Sequence, residues 1–163
     1  MVSRCAATLN TDAATVVTGD LLDLAMELGS IADRDWMAGG KPPGHAYWAR
    51  VWAARALRYV WSSRATDAVA RALGDEAWRV REMAARVVAD RELAEAVPQL
   101  VACAADDVPR VRAAAVRALA AVGEGEHIEL IAELLDDPEE PVAAAARAAL
   151  ERLGRRLDRP AAR

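Results

Sequence analysis

Phenylalanine is missing from this 163-residue chain, lysine occurs once, and cysteine occurs twice. The two cysteines, Cys5 and Cys103, lie far apart and form no metal-binding spacing, so both are expected to be reduced thiols, as in a cytosolic protein. We expect Cys103 to fill a small apolar position in the core. The single lysine among 21 basic residues, with abundant alanine and valine, favours a GC-rich genome, and from this composition we expect a bacterial source.

The chain also lacks a long apolar segment, although hydrophobic residues make up 54% of it. No run approaches the roughly 20 apolar residues of a membrane helix. Residues 1–18 contain no continuous apolar stretch of the about 7–15 residues that a secretory signal requires. We therefore expect a flexible tail at 1–18, a single domain over 19–158, a short tail at 159–163, and a cytoplasmic protein that binds no membrane.

Enzyme motifs are nearly absent. The two histidines, His45 and His127, lie far apart in the sequence. The segment "GGKPPG" is a poor phosphate-binding loop, because the prolines that follow Lys41 supply no N–H groups to phosphate. No serine lies in a nucleophile elbow. The sequence therefore predicts no catalytic residue, no metal site and no cofactor.

The chain matches itself when it is shifted by 31 residues. Self-similarity at a fixed period is typical of stacked supersecondary units, so it predicts a repeat fold. Four copies can be aligned, of which the first is the most divergent. The matching positions are Val80, Val111 and Val142; Asp75, Asp106 and Asp137; Ala84, Ala115 and Ala146; Val88, Leu119 and Leu150; and Val69, Leu100 and Ile131.

Each copy is predicted to form two helices. In the third copy, the segment "ELAEAVPQLVACAA" has apolar residues at the i, i+3, i+4, i+7 spacing of an amphipathic helix. The turn is "DDVPRV", where Pro109 suits the first position of the second helix and Asp107 or its neighbour can cap it. Gly123 is expected to end that helix with a positive φ.

The first copy is irregular. Residues Thr18 to Met37 predict its first helix, and residues Ala46 to Trp61 predict its second. The loop "AGGKPPGH" between them is longer than the turns of the other copies. Terminal repeats are often atypical because they cap the stack.

Alanine lines the second helix of the third copy, within "DDVPRVRAAAVRALAAVG". Small side chains let neighbouring helices approach to the short end of the usual separation of about 8–10 Å. A single helix pair cannot bury its apolar face alone, so the composition predicts closely stacked pairs.

The pattern D-x-x-x-x-V-R-x-x-A followed by A-L resembles the HEAT repeat. The most similar form is the short one often called PBS-lyase HEAT-like, and the resemblance covers residues 64–154 well and residues 46–60 weakly. It implies an all-α, right-handed α-solenoid of about four two-helix repeats, with the second helices on the concave side. In the third copy the pattern is carried by Asp106, Val111, Arg112, Ala115, Ala118 and Leu119.

The period produces two rows of arginine. The first row follows the core valine position, and each of its guanidinium groups is expected to bind a turn aspartate of its own or an adjacent repeat in fork geometry. The fourth copy has Ala143 at this position, which weakens the row there. The arginines are Arg50, Arg81 and Arg112, and the aspartates are Asp75, Asp106 and Asp137.

The second row lies five residues further on, about 140° around the helix. With two more arginines it predicts a basic stripe that could dock an acidic peptide or phosphate groups. The alternative is a solvated face without a partner, and Glu82 dilutes the charge. The overall charge of −4 gives no bulk attraction to nucleic acid. The arginines of this stripe are Arg55, Arg86, Arg117, Arg79 and Arg110.

Most aromatic residues lie near the first copy. Trp52 aligns with Met83 and Ala114 on the stacking face and is expected in the core, whereas Trp48 should be more exposed. Trp48 and Tyr47 are the candidates for an aromatic anchor in an interface. Alternatively, these rings close the open end of the solenoid.

Three functions are compatible with the sequence. The first is a non-catalytic scaffold that binds a protein or peptide of unknown identity, through the concave face or the aromatic first copy. The second is a nucleic-acid binder similar to the HEAT-like alkylpurine DNA glycosylases, although no catalytic motif aligns. The third is a lyase-like or assembly-chaperone role, although no cysteine or histidine is placed to hold a tetrapyrrole.

Overall fold

Helices and turns make up the part of the chain that the computed structural model describes, residues 47–59 and 61–158. The helices are α1 (Tyr47–Leu57), α2 (Thr66–Ala72), α3 (Trp78–Arg91), α4 (Val97–Ala104), α5 (Pro109–Val122), α6 (Ile128–Glu133) and α7 (Glu140–Leu157). Short 3-10 turns precede α2, α4 and α6, and a further one follows α6. The predicted all-α fold is confirmed. The predicted helix at 18–37, both tails, Cys5 and His45 lie outside the described residues.

The helices form two layers. The second helices α1, α3, α5 and α7 pack against one another in chain order, and the first helices α2, α4 and α6 each pack against the second helix that follows them. The result is an α-solenoid in which α1, α3, α5 and α7 continue from one repeat to the next. The predicted second helix of the first copy is α1, and it is shorter than the span 46–61.

The buried seam follows the 31-residue period. Val80, Val111 and Val142 are all fully buried, one in each of α3, α5 and α7. All six alanines of α5 are also buried, because this helix lies between α3 and α7 and packs on α4. Their small side chains let three neighbouring helices approach α5, as the alanine content predicts. Equivalent residues that are fully buried in the other rows are Ala84, Ala115 and Ala146; Val88 and Leu119; and Val69, Leu100 and Ile131.

The helices α3, α5 and α7 each begin after the same type of turn. The Oδ1 atoms of Asp75, Asp106 and Asp137 accept hydrogen bonds from the backbone N–H two residues later, at 2.8, 2.9 and 2.9 Å. That N–H belongs to the residue just before the helix, so the aspartate forms an Asx turn and does not cap the helix interior. The helix α5 begins at Pro109 as predicted. In that turn Asp106 accepts the hydrogen bond, whereas Asp107 does not.

The end of α5 differs from the prediction. Gly123 has φ −71° and ψ 165°, an extended conformation, so the expected positive φ is wrong. Glycine is needed there for space, since a Cβ would lie 2.6 Å from the carbonyl oxygen of Leu119. A left-handed residue ends α3 instead, where Glu92 has φ 53°.

Candidate functional site: two arginine rows

The first arginine row joins neighbouring repeats through the turns. The guanidinium of Arg81 donates from Nε to Asp106 Oδ2 at 2.6 Å and from Nη2 to Asp106 Oδ1 at 2.9 Å. Its Nη1 donates to the backbone carbonyl of Asp75 at 2.8 Å. Arg81 therefore holds the turn of its own repeat and the aspartate of the next repeat at the same time.

The same fork recurs on both sides. Arg50 donates to Asp75 at 2.7 and 2.9 Å, and Arg112 donates to Asp137 at 2.8 and 2.9 Å. The Nη1 of Arg112 also reaches the carbonyl of Asp106 at 2.8 Å. We call this set the arginine ladder. It comprises Arg50, Arg81, Arg112, Asp75, Asp106 and Asp137.

Burial makes these pairs important for stability. The ladder aspartate side chains are 8%, 8% and 4% exposed, and each accepts the two-pronged fork as well as the bond of its Asx turn. A buried carboxylate that loses its cation is strongly destabilising, because the charge has left water without compensation. In α7 the buried Ala143 takes the arginine position, so the ladder ends at Asp137.

The ladder contacts shift the pKa values of Asp106, Asp137 and the three ladder arginines. Burial raises the pKa of Asp106, but the hydrogen bonds from Arg81 and from the N–H of Val108 outweigh it and hold that pKa below its ordinary value. The fork from Arg112 lowers the pKa of Asp137. The hydrogen bonds to aspartate raise the pKa of every ladder arginine, namely Arg50, Arg81 and Arg112.

The second arginine row is exposed. Arg55, Arg86 and Arg117 occupy equivalent positions on α1, α3 and α5, and all three are open to solvent. Arg86 pairs with Glu82 at 2.7 Å, whereas Arg117 donates only to the carbonyl of Ala113 at 3.3 Å. Among the described residues, no carboxylate lies within ion-pair distance of Arg55 or Arg117.

Glu82 lies at the centre of this surface. Its side chain is 11% exposed, and it accepts a hydrogen bond from Arg86 on its own helix and forms an ion pair with Arg110 of α5, whose Nε lies 3.4 Å away. Sequence reasoning treated Glu82 only as a charge that weakens the stripe. Its contacts link α3 to α5 and fix two arginines. The equivalent residues, Val51 and Ala113, carry no charge, so the period gave no signal for this role.

Aromatic rings hold Arg79 at the N-terminal end of the surface. Its guanidinium carbon lies 4.3 Å from the ring centre of Trp78, 5.5 Å from that of Trp48 and 5.8 Å from that of Tyr47. The Nη1 of Arg79 also donates to the Tyr47 hydroxyl at 3.2 Å. Trp78 is in addition 5.6 Å from the guanidinium carbon of Arg110, so it forms cation–π contacts with two arginines. Sequence reasoning left Trp78 out of the site.

The prediction for Trp52 is wrong. This ring is only partly buried and stacks on Trp48 at a centroid distance of 6.1 Å, with the rings 24° apart. Trp48, which was expected to be the more exposed ring, is also partly buried and packs against the core. The two rings occupy successive turns of α1 on one face, so each covers the other.

We call the combined surface the arginine strip. Residues 79 and 86, like 110 and 117, are seven residues apart, so they lie on one helix face about 10.5 Å apart along the axis. The surface is therefore a grid of cations across α1, α3 and α5 with aromatic rings at one end. It comprises Arg55, Arg79, Arg86, Arg110, Arg117, Glu82, Tyr47, Trp48 and Trp78.

Comparison with known proteins agrees with this architecture. A family model of HEAT repeats matches residues 45–119 and 84–151. The chain belongs to the HEAT-repeat family. HEAT repeats generally serve as scaffolds for protein–protein interaction and are typically not catalytic. No curated protein matched the chain.

Other reactive side chains of this HEAT-repeat chain have structural partners. Cys103 is buried as expected and lies 3.3 Å from the carbonyl of Leu73, and burial raises the pKa of its thiol to about 11. The thiol is therefore protonated near neutral pH and is a poor nucleophile. His127 is buried, and its Nδ1 accepts from the N–H of Glu124 at 3.0 Å, so it braces the turn before α6.

The described residues of the HEAT-repeat array contain no group of three or more potential metal ligands. None of the helices in this part of the chain combines the length and apolar character needed to cross a bilayer.

Proposed function

We propose that the protein is a non-catalytic scaffold that binds a protein or peptide partner on the arginine strip. The observation that carries this proposal is the contrast in pairing between the two arginine rows. Each ladder arginine has its own aspartate, whereas within the described residues the strip has one carboxylate, Glu82, which pairs with Arg86 and Arg110. The exposed Arg55 and Arg117 have no carboxylate partner there, so their charge is available to a partner.

The strip has the composition of a binding hot spot. Tryptophan, tyrosine and arginine dominate the energetics of protein interfaces. In the strip, Arg79 lies among Tyr47, Trp48 and Trp78 before any partner binds. Because these contacts already restrict the guanidinium, binding would cost less conformational entropy than ordering a free arginine.

Catalysis has little support. Cys103 is buried with a raised thiol pKa, and His127 braces a turn. The strip offers cations and rings but no nucleophile with an adjacent base. The proposal therefore includes no enzymatic activity and no cofactor, and it keeps the cytoplasmic location that the sequence leads us to expect.

Affinity capture from the native host tests the proposal. The bait variant Arg55→Ala/Arg86→Ala/Arg117→Ala removes the exposed row, and the control Arg147→Ala/Arg152→Ala/Arg155→Ala removes the same charge from α7. We expect a partner that wild type and the α7 control both retain and that the strip variant loses. Identical partner sets for the strip variant and wild type would contradict the proposal. Recovery of strip-dependent nucleic acid in place of protein would also contradict it.

A further inference from the structure

We propose that the arginine strip binds an acidic peptide segment in the polyproline II conformation, with a carboxylate at every third residue opposite one arginine of each successive second helix. This inference rests on the proposed function and names the chemistry of the partner. Charge, spacing and the position of the aromatic rings each support it.

The charge of the strip is opposite to that of the chain. Five arginines and one glutamate leave an excess of four positive charges on this surface, whereas the whole chain has a net charge of −4. The strip is therefore a basic surface on a chain whose net charge is negative. Complementary potential steers an acidic segment to the strip and disfavours a basic one.

The spacing of the strip matches the polyproline II helix. This conformation has three residues per turn and rises about 3.1 Å per residue, so every third side chain points the same way at intervals of about 9 Å. Packed helices lie about 8–10 Å apart. In a β-strand, side chains on one face recur at about 6.7 Å, which is shorter than the distance between the helices. The exposed row supplies one arginine per helix: Arg55 on α1, Arg86 on α3 and Arg117 on α5.

The extent of the row limits the length of the segment. In α7, Pro141 and Ala148 stand at the positions that Arg110 and Arg117 occupy in α5. The exposed row therefore has three arginines within the described helices. Three carboxylates at every third position require a segment of about seven residues.

The aromatic end of the strip suits the residues between the carboxylates. Polyproline II segments dock on surfaces lined with aromatic rings, and their preformed backbone limits the entropy lost on binding. Tyr47 and Trp48 lie with ring centres 5.4 Å apart, and Trp48 stacks on Trp52 beside them. Because Trp52 lies three residues before Arg55, about one helical turn, a segment that crosses the helices at the exposed row would lay a proline against this ring at α1 and its carboxylates against the arginines.

Peptide binding to the full chain tests the inference. The probe is a fluorescein-labelled Glu-Pro-Pro-Glu-Pro-Pro-Glu peptide, and the control is Glu-Glu-Glu-Pro-Pro-Pro-Pro, which has the same composition. Fluorescence polarisation should show about tenfold tighter binding of the spaced peptide, since one charge-assisted hydrogen bond is worth about that factor. The affinity should fall as salt rises.

Two variants locate the binding. Arg55→Ala/Arg117→Ala leaves the Glu82 contacts intact and should weaken binding of the spaced peptide about tenfold or more. The matched control Arg147→Ala/Arg152→Ala loses the same charge from α7 and should bind as wild type does. Thermal unfolding of each variant confirms that it is folded before its affinity is compared.

The remaining outcomes overturn the inference in distinguishable ways. Equal affinity for the two peptides would mean that only bulk charge is recognised. Strip-dependent binding of an oligothymidylate at least as tight as that of the spaced peptide would assign the surface to phosphates. If neither peptide binds while the capture experiment still shows a strip-dependent protein partner, the inference fails and the proposed function stands.

Discussion

The arginine ladder and the arginine strip are built from the same residue type, on the same helices, with the same 31-residue period, yet their surroundings differ. Ladder arginines have side chains 13–18% exposed and bind aspartates in two-pronged forks. On the strip, Arg86 and Arg110 have side chains 43% and 67% exposed and share Glu82.

The difference shows that periodic charge in a repeat protein has two separate causes. The ladder satisfies the turns of the fold and joins one repeat to the next, so folding fixes its composition. The strip satisfies little within the fold, and we therefore propose that its arginines bind a partner.

The largest expected effect is on the ladder. Asp106→Ala should lower the free energy of unfolding by about 3 kcal/mol, because Arg81 loses its fork and the turn before α5 loses its Asx bond. Urea unfolding followed by circular dichroism measures the change. The control is Glu76→Ala, which removes an 88% exposed carboxylate that also contacts Arg50 and should change the free energy by less than about 0.5 kcal/mol. Equal losses of unfolding free energy for the two variants would contradict the claim that the buried ladder carboxylate matters more than the exposed one.

Acid should weaken the ladder. Because the folded-state pKa values of Asp106 and Asp137 are lowered, the folded protein binds fewer protons than the unfolded chain near those values. Their stabilisation is complete above the unfolded pKa of about 3.9 and is lost as pH falls through the folded value. The melting temperatures of wild type and Asp106→Asn should therefore differ at pH 7, and the difference should begin to shrink as pH falls below about 4. A gap that stays constant to pH 3 would contradict the ladder's electrostatic role.

The turn after α5 connects α5 to α6. Gly123→Ala should lower the free energy of unfolding by about 1–3 kcal/mol, because the added Cβ would lie 2.6 Å from the carbonyl oxygen of Leu119. Gly154→Ala is the matched control. Gly154 lies inside α7, where an added Cβ would meet open space. Its replacement by alanine should raise the free energy of unfolding by about 0.5–1 kcal/mol through higher helix propensity. Chemical unfolding of both variants tests the pair, and a neutral Gly123→Ala would contradict the steric account.

The smallest effect is expected at a single arginine of the strip. Arg117→Ala should change the free energy of unfolding by less than about 0.5 kcal/mol, because the side chain is exposed and donates only to the carbonyl of Ala113. Differential scanning fluorimetry is sufficient to measure it. A large loss would mean that the exposed row contributes to folding.

Much of the fold follows from the sequence, because each repeat meets the same neighbours. Val80, Val111 and Val142 align at the 31-residue period and are fully buried, as the repeat pattern requires. Gly123 shows the limit. Glycine after a helix often marks a positive φ, but here a close carbonyl selects it, and that distance depends on tertiary packing.

The candidate site could be predicted only in part. The period identifies the rows of arginine, since equivalent positions on stacked helices must line up. The exceptions to the period were missed: Glu82 stands where Val51 and Ala113 occur, and Trp78 begins a helix whose equivalent in α5 begins with Pro109. The contacts of such residues depend on their own side chains, so the 31-residue period does not predict them.

The central claim is that the arginine ladder stabilises the fold, whereas the arginine strip is available to bind a partner. Two double variants with equal loss of charge test it most directly, Arg81→Ala/Arg112→Ala for the ladder and Arg55→Ala/Arg117→Ala for the strip. The account predicts that thermal unfolding of the ladder variant occurs about 10 °C or more below wild type, whereas the strip variant unfolds within about 2 °C of it. Equal losses, or a larger loss for the strip variant, would contradict it.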